Sequence, residues 1–201
     1  MAYLEGLDRL LADTPIDKGE VMRYMAAREA DDDLGLIIDE CAKEVKNVLS
    51  AKLCYEEYNV LINGDEVDLG FCKIRSRDLS KNLSGFDKTV VFVATAGLGI
   101  DRLILKYKTV SPTKALCISA IGSERAEAVC DIFCKILAEK YSKVNSRYSA
   151  GYGDLDLSMQ REIFRALDCT KNIGVALSES LLMTPTKSVT AIVGVKKESG
   201  K

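Results

Sequence analysis

One apolar segment most constrains the fold of this chain: TVVFVATAG, at residues 89–97. An apolar run of this length, ended by a glycine, predicts a buried central strand. A long helix is predicted over residues 31–51, where apolar residues recur at three- and four-residue steps after an acidic start that favours the helix dipole. The chain is therefore expected to form a mixed α and β domain.

Turn and periodicity signals divide the rest of the chain into shorter elements. Alternating apolar residues flank Asn63-Gly64, which is the strongest short-range signal for a β-hairpin. Helices are predicted at residues 16–27, 77–85, 100–107, 113–141 and 157–167. The fourth of these is expected to be interrupted near Gly122-Ser123, and the fifth to be capped by Asp156 or Ser158. Strands are predicted at residues 172–178 and 188–195.

Length and charge narrow the class of protein. A chain of 201 residues without a repeat or a Pro/Ser-rich linker suggests one compact domain. Its formal net charge of −2 lacks the strong basic field that binding to nucleic acid or an anionic membrane needs. No apolar run approaches the roughly 20 residues that span a bilayer, and the acidic N-terminus is unlike a signal peptide. We expect a cytoplasmic protein without nucleic-acid or membrane partners.

Histidine is absent from the sequence. Its absence excludes Ser-His-Asp and Cys-His nucleophilic machinery, and it excludes histidine-ligated metal or haem. A cobalamin module that ligates cobalt through histidine is excluded for the same reason. Acid–base chemistry would depend on Asp, Glu, Lys, Tyr or Cys.

The seven cysteines form no CxxC pair, so the sequence suggests neither a zinc knuckle nor a thioredoxin-like site. Cys130 and Cys134 are one helical turn apart. We expect the cysteines to be small buried apolar residues in a reducing compartment, with a redox role as the alternative.

The segment TAGLGIDR, residues 95–102, is a first candidate site because it follows the predicted central strand and precedes a helix. Backbone N–H groups at such a helix start can bind an anion or a nucleotide. Arg102 occupies the place of the third glycine of the dinucleotide fingerprint, and no GKS or GKT follows. A tight strand-to-helix turn is the preferred interpretation.

The loop from Arg147 to Asp154, RYSAGYGD, is a second candidate. Its small residues let the backbone approach a ligand closely, and a guanidinium matches a carboxylate bidentately. Tyr152 adds a flat face and a hydroxyl for an aromatic or cationic ligand. The loop is either a small-molecule site or a plain surface loop.

Two linked motifs give the sequence a family resemblance. RYSAGYGDLDLSMQREIF, followed by IGVALSESLLMTPTKSVTAIVGV, resembles the activation domain of cobalamin-dependent methionine synthase. That family has an Arg-x-x-x-Gly-Tyr motif, a helix, and a segment of the second type, in this order. The resemblance extends to DLSKNLSGFDKTVVFVATAGLGIDR and to EAVCD, and so covers residues 78–195.

The resemblance implies an α+β fold, with a single domain, a twisted and mainly antiparallel sheet, and flanking helices. Residues 1–77 would be helices and a hairpin of the same domain, and residues 78–195 its core with the binding site. The polar tail, residues 196–201, is expected to fray.

In the family this domain binds S-adenosylmethionine in a shallow groove and presents its methyl group to cobalamin. When the cobalt has oxidised to Co(II), an electron from a flavodoxin-type donor and this methyl group together restore methylcobalamin. By resemblance, Arg147 would contact the methionine carboxylate, and Gly151 and Tyr152 match the Gly-Tyr pair. Ser149 and Ala150 stand where family backbone groups meet the ligand.

An acid on the upstream helix would meet the ligand's amino group, with Asp131 as the first candidate and Glu127 as the alternative. Asp17 is the candidate for a ligand-contacting aspartate near the N-terminus. Val193 stands near the place of an aromatic residue in the family's large enzymes, and it cannot stack on the ligand.

The expected function is a stand-alone accessory subunit of a methyltransferase. The homocysteine, folate and cobalamin modules of the large enzymes are absent, so cobalamin would be met only on a partner, a shortened methionine synthase or another corrinoid protein. Tyr152 would lie against the corrin and assist the reaction. The alternative is a non-catalytic cap or chaperone of a corrinoid protein, in which ligand binding has degraded.

Overall fold

A computed structural model describes residues 2–4, 7–27 and 32–197 of the chain. Its helices are α1 (Leu7–Asp13), α2 (Lys18–Tyr24), α3 (Asp32–Val48), α4 (Arg77–Asn82), α5 (Leu98–Tyr107), α6 (Pro112–Lys140), α7 (Met159–Leu167) and α8 (Cys169–Ile173). Its strands are β1 (Ala2–Tyr3), β2 (Lys52–Asn59), β3 (Leu61–Asn63), β4 (Glu66–Asp68), β5 (Lys73–Arg75), β6 (Lys88–Thr95), β7 (Lys143–Val144), β8 (Ala176–Leu177), β9 (Met183–Thr184) and β10 (Ser188–Lys196).

The predicted central strand is β6, which lies in the middle of a five-stranded sheet of order β1-β2-β6-β10-β7. Its neighbours β2 and β10 both pair with it in antiparallel register over eight residues. The outer pairs, β1 with β2 and β7 with β10, are antiparallel as well. The predicted α+β class with an antiparallel sheet is confirmed.

Helices cover both faces of this sheet, which is why residues 90–94 of β6 are all apolar. Val90 and Phe92 of β6 face one side and pack with residues of α1 and α6, including Leu11 and Phe133. The alternate residue Val91 faces the other side and packs with residues of α4, α7, α8 and the β3–β4 hairpin. A third cluster joins α2, α3, α5 and α6 beyond the edge of the sheet.

The expected interruption near Gly122-Ser123 is wrong, because α6 runs without a break for 29 residues. Gly122 serves close packing instead. A Cβ at this position would stand 2.7 Å from Cγ2 of Ile100 on α5, so the glycine lets the two helices approach.

Two local predictions need adjustment, and two fall partly outside the described residues. The hairpin at Asn63-Gly64 is confirmed as β3–β4, but β2 before it belongs to the large sheet. The predicted strand at residues 172–178 is short: α8 extends to Ile173, and only Ala176–Leu177 are extended. The acidic start at residue 31 and residues 198–201 of the predicted frayed tail lie outside the described part of the chain.

All seven cysteines are free thiols, and five of them are buried, as predicted; Cys72 and Cys134 are half-buried. Among the described residues, no helix combines the length and the apolar character needed to cross a bilayer.

Candidate functional site

A groove of about 510 Å³ brings together most of the predicted site residues. Four segments form it. They are one face of α6, the loop at residues 147–154, which we call the arginine loop, the connection between α1 and α2 at residues 14–17, which we call the strap, and α2 itself. The lining residues are Thr14, Pro15, Asp17, Glu20, Arg23, Tyr24, Glu124, Glu127, Ala128, Asp131, Ile132, Lys135, Arg147 and Tyr152.

The sheet and α4 hold the arginine loop at both ends. Tyr148 exchanges two backbone hydrogen bonds with Ile192 of β10, at 2.9 and 2.8 Å. At the far end, the Asp154 carboxylate accepts hydrogen bonds from the Ser76 hydroxyl and from the N–H groups of Arg77 and Asp78 at the start of α4. These bonds, led by the one from Ser76, lower the pKa of Asp154. The loop is therefore a fixed part of the fold.

Gly151 makes the turn of this loop. Its φ is +90°, a conformation that side chains of L-residues rarely adopt, and its N–H donates to the Leu155 carbonyl at 2.8 Å. A Cβ here would also stand 3.2 Å from Cδ1 of Leu157. The Gly-Tyr pair found in the sequence thus has a backbone requirement at its first position.

The Arg147 guanidinium lies at one end of the groove between two carboxylates. Its Nη2 is 2.8 Å from Oδ1 of Asp131 and 3.1 Å from Oε2 of Glu127. Burial opposes its charge, but the neighbouring carboxylates of Glu127 and Asp131 favour it, and the pKa of Arg147 is raised. The side chain is 24% exposed and keeps its positive charge.

The second guanidinium nitrogen of Arg147, Nη1, is buried without a hydrogen-bond partner. Cys130 lies beside the guanidinium, and burial raises the pKa of this thiol to about 12, so it remains neutral. An unpaired buried donor costs about 1–3 kcal/mol, which makes the arginine able to gain from an added acceptor.

Both candidate acids belong to one face of α6. Glu127 and Asp131 are four residues apart and therefore neighbours on the helix surface, with Glu124 one turn earlier. Their side chains are 44% and 61% exposed, so both can reach a ligand in the groove while they contact Arg147.

The other predicted residues lie either beside Arg147 at the surface or in the buried core. Ser149 and Tyr152 line a second, smaller cavity of about 180 Å³ beside Arg147, and Tyr152 is 68% exposed. Ala150 is buried in the core under the loop, so only its backbone can meet a ligand. Val193 is fully buried on the α6 side of the sheet and does not line the groove.

Asp17 lies in the groove and also caps a helix. Its carboxylate accepts the N–H of Glu20 at 3.1 Å, at the N-terminus of α2. The structure therefore brings the N-terminal aspartate candidate to the same groove as Arg147.

The TAGLGIDR segment forms a two-residue turn between β6 and α5. The N–H of Gly97 donates to the Thr95 hydroxyl at 3.1 Å within the turn itself. This geometry agrees with the preferred interpretation as a tight turn.

Sequence reasoning missed the strap, apart from Asp17, and it missed Glu124 and Arg125. Nothing in the local pattern marks Thr14 or Pro15, because they meet α6 across more than 100 residues of chain. The spacing of Glu124, Glu127 and Asp131 was a usable signal, since it places three acids on one helix face.

Comparisons with known proteins bear on the family resemblance and on the fold. The family model described as vitamin B12 dependent methionine synthase, activation domain, matches residues 133–201. This segment contains the arginine loop. A solved structure described as the MetH reactivation domain bound to AdoHcy matches with a TM-score of 0.72, covering 100% of this chain and 79% of that chain. The chain has the reactivation-domain fold.

The resemblance stated from the sequence is thus confirmed. The identity to that solved structure is 16%, so the likeness shows the fold. The family match covers about one third of the chain and begins after the three acids on α6. No curated protein matches the chain by sequence.

Proposed function

We propose that this chain binds S-adenosylmethionine and supports the reductive remethylation of Co(II) cobalamin on a separate methionine synthase or related corrinoid protein. One observation carries the proposal: Arg147, in the segment that matches the activation-domain model, contacts two carboxylates at the end of a groove of ligand size. The matching solved structure is described as bound to AdoHcy, which supports a ligand of this class.

The residues at this end of the groove fit the amino-acid part of such a ligand. An α-amino acid carries a carboxylate and an ammonium group close together, and it needs a cation and an anion at similar spacing. Arg147 would take the carboxylate, using donors that the protein leaves free, including the unpaired Nη1 after a small shift. Asp131 would take the ammonium, with Glu127 as its neighbour.

The exposed end of the groove suits presentation to a large partner. Tyr152, which lines the groove, is 68% exposed, and Leu182, which lies outside the groove lining in the connection between β8 and β9, is 70% exposed. The Arg161 guanidinium donates to the Glu179 carbonyl at 2.9 Å and so ties this connection to α7. Such exposed aromatic and aliphatic side chains are typical anchors of protein interfaces. We propose that they form the docking face for the corrinoid protein.

When bound, S-adenosylmethionine would supply the methyl group, and the electron pair of the broken C–S bond would stay on sulfur in S-adenosylhomocysteine; a flavodoxin-type donor would supply the one electron that makes the partner's Co(II) an acceptor. The protein's own residues would position S-adenosylmethionine and shield it from water. The arginine loop would orient the ligand, and Tyr152 would cover it from solvent. Positioning of this kind raises the effective concentration of the reacting groups, so the chain needs no general base. Since the sequence has no histidine, the cobalt ligand would come from the partner.

A second candidate function is a non-catalytic cap or chaperone for a corrinoid protein. The observation that favours it is the internal pairing of Arg147 with Asp131 and Glu127, which neutralises the site without a ligand. A ligand must then compete with contacts the protein already makes.

Calorimetric titration with S-adenosylmethionine separates the two candidates. We expect saturable binding by the wild type, and roughly tenfold to hundredfold weaker binding by Arg147→Ala. A second assay mixes the chain, S-adenosylmethionine, a one-electron reductant and a Co(II) corrinoid protein. Growth of the methylcobalamin spectrum should depend on this chain. Absence of binding, together with no dependence across several corrinoid proteins, supports the cap or chaperone.

A further inference from the structure

A buried ion pair on α6 holds the strap, the wall of the groove opposite the arginine loop. Glu124 and Arg125 are 6% and 3% exposed. The Arg125 Nε and Nη2 contact the Glu124 carboxylate at 2.5 and 2.6 Å. The pair is thus closed on itself and isolated from solvent.

The remaining hydrogen-bonding groups of this pair are directed at the strap. Nη1 of Arg125 donates to the carbonyls of Leu11 and Thr14, at 3.3 and 2.8 Å, and Nη2 donates to the carbonyl of Pro15 at 2.9 Å. Glu124 accepts the backbone N–H of Asp17 at 3.2 Å. In the described part of the chain, these are the hydrogen bonds that reach the strap from outside α1 and α2.

The energetics favour a role in positioning over a role in stability alone. A buried ion pair loses the hydration of two charges, and its replacement by apolar residues is often neutral or stabilising. The pair makes four hydrogen bonds to the end of α1 and the strap, a segment whose backbone forms no sheet ladder. Their effect is to fix where Thr14, Pro15 and Asp17 stand.

The same helix face therefore holds both ends of the groove. Glu124 holds the strap, and two turns later Asp131 contacts Arg147 at 2.8 Å. A rise of about 1.5 Å per residue separates residues 124 and 131 by about 10 Å along the axis of α6. We propose that Glu124 and Arg125 are positioning residues, which act through the strap to set the distance between its Asp17 wall and Arg147. This inference rests on the proposed function.

The test uses Arg125→Lys, which keeps the positive charge but loses the planar fork that makes these bonds together. We expect its Kd for S-adenosylmethionine to rise about tenfold, as a loss of groove geometry. Hydrogen exchange in the absence of ligand should become faster over residues 11–24. In an Asp17→Ala background, Arg125→Lys should change the Kd by less than about twofold, because the wall it positions has already lost its side chain.

Glu57→Gln is the matched control. Glu57 on β2 forms a partly buried ion pair with Lys88 and accepts a hydrogen bond from Tyr141, away from the groove. The thermal stability of Glu57→Gln should fall, while its Kd for S-adenosylmethionine stays within about twofold of the wild type. If Arg125→Lys does not fold, Glu124→Gln replaces it, since this near-isosteric change removes the charge that holds the Arg125 guanidinium, and the same direction of change in Kd and hydrogen exchange is expected.

Two results overturn the positioning role and leave the proposed function standing. In the first, the wild type binds S-adenosylmethionine, but the Kd of Arg125→Lys changes no more than that of Glu57→Gln. In the second, Arg125→Lys weakens the affinity equally in the wild-type and Asp17→Ala backgrounds. Unchanged hydrogen exchange over residues 11–24 overturns the positioning role as well. Failure of the wild type to bind the ligand overturns the proposed function together with this inference.

Discussion

The two walls of the groove are held in different ways. The arginine loop pairs with the backbone of β10 at Tyr148 and meets the start of α4 through Asp154. The strap is instead held by hydrogen bonds from its backbone to two side chains of α6, Glu124 and Arg125. Backbone pairing survives most side-chain replacements, whereas the strap depends on the identity of two residues. The wall that carries Arg147 is therefore the more firmly built one.

The largest expected effect comes from Arg147→Ala. It removes a charge-assisted contact worth about 1.5–3 kcal/mol, so the affinity for S-adenosylmethionine should fall roughly tenfold to hundredfold. Arg147→Lys should recover part of it, because an ammonium lacks the planar fork. Calorimetry measures both, with Arg165→Ala as the control, an exposed arginine that pairs with Glu162 one turn earlier in α7. Unchanged affinity in Arg147→Ala would remove the main support for this wall as the binding wall.

Gly151→Ala tests whether the arginine loop is as rigid as its anchors suggest. With φ at +90°, an alanine should cost about 1–3 kcal/mol of unfolding free energy and weaken ligand binding as well. The control is Gly35→Ala in α3, where an added Cβ meets nothing within 4 Å and should stabilise the helix by about 0.5–1 kcal/mol. Denaturant unfolding gives both values. Equal stability of the two variants would show that the loop tolerates rearrangement.

Acid should weaken the anchor at the end of the arginine loop. Because the folded-state pKa of Asp154 is lowered, its contribution is present above the ordinary aspartate pKa of about 4 and is lost as the pH falls through the lowered value. Asp154→Asn should therefore be less stable than the wild type near neutral pH, and the two should converge in acid. Thermal unfolding across this range measures the difference, and parallel curves would argue against the anchor.

Tyr152→Ala should have the smallest effect on stability, within about 0.5 kcal/mol, because its side chain is 68% exposed. It should nevertheless slow remethylation of a Co(II) corrinoid protein while ligand binding survives. Leu61→Ala, an exposed apolar residue on the β3–β4 hairpin, is the control and should leave the rate unchanged. Equal rates for both variants would exclude Tyr152 from the docking face.

Cobalt and zinc analysis of the purified chain complements these variants. With no histidine and no CxxC pair, the protein should carry neither a corrinoid nor a stoichiometric metal. A visible spectrum and elemental analysis check this, and stoichiometric cobalt would contradict the role proposed for a partner protein.

Most of the sheet and the arginine loop could be predicted because their signals are local. The apolar run at residues 90–94 predicts a strand that is buried on both faces, and the loop motif lies within eight consecutive residues. The break expected in α6 was wrong for the opposite reason. From the local sequence, Gly122 suggests a helix end. The structure shows that it is needed because Ile100 of α5 packs against it.

The sequence by itself determined the class of fold, the arginine loop and the absence of histidine chemistry, because each depends on residue types or on neighbours in the chain. Only the tertiary structure decided that Arg147 pairs with Asp131 and Glu127, and that Arg125 holds the strap from a distance of 110 residues in sequence. Periodicity reports which face of an element is apolar, but not which distant backbone comes to lie against it. Contacts between such segments are settled by the packing of α1, α2 and α6 together.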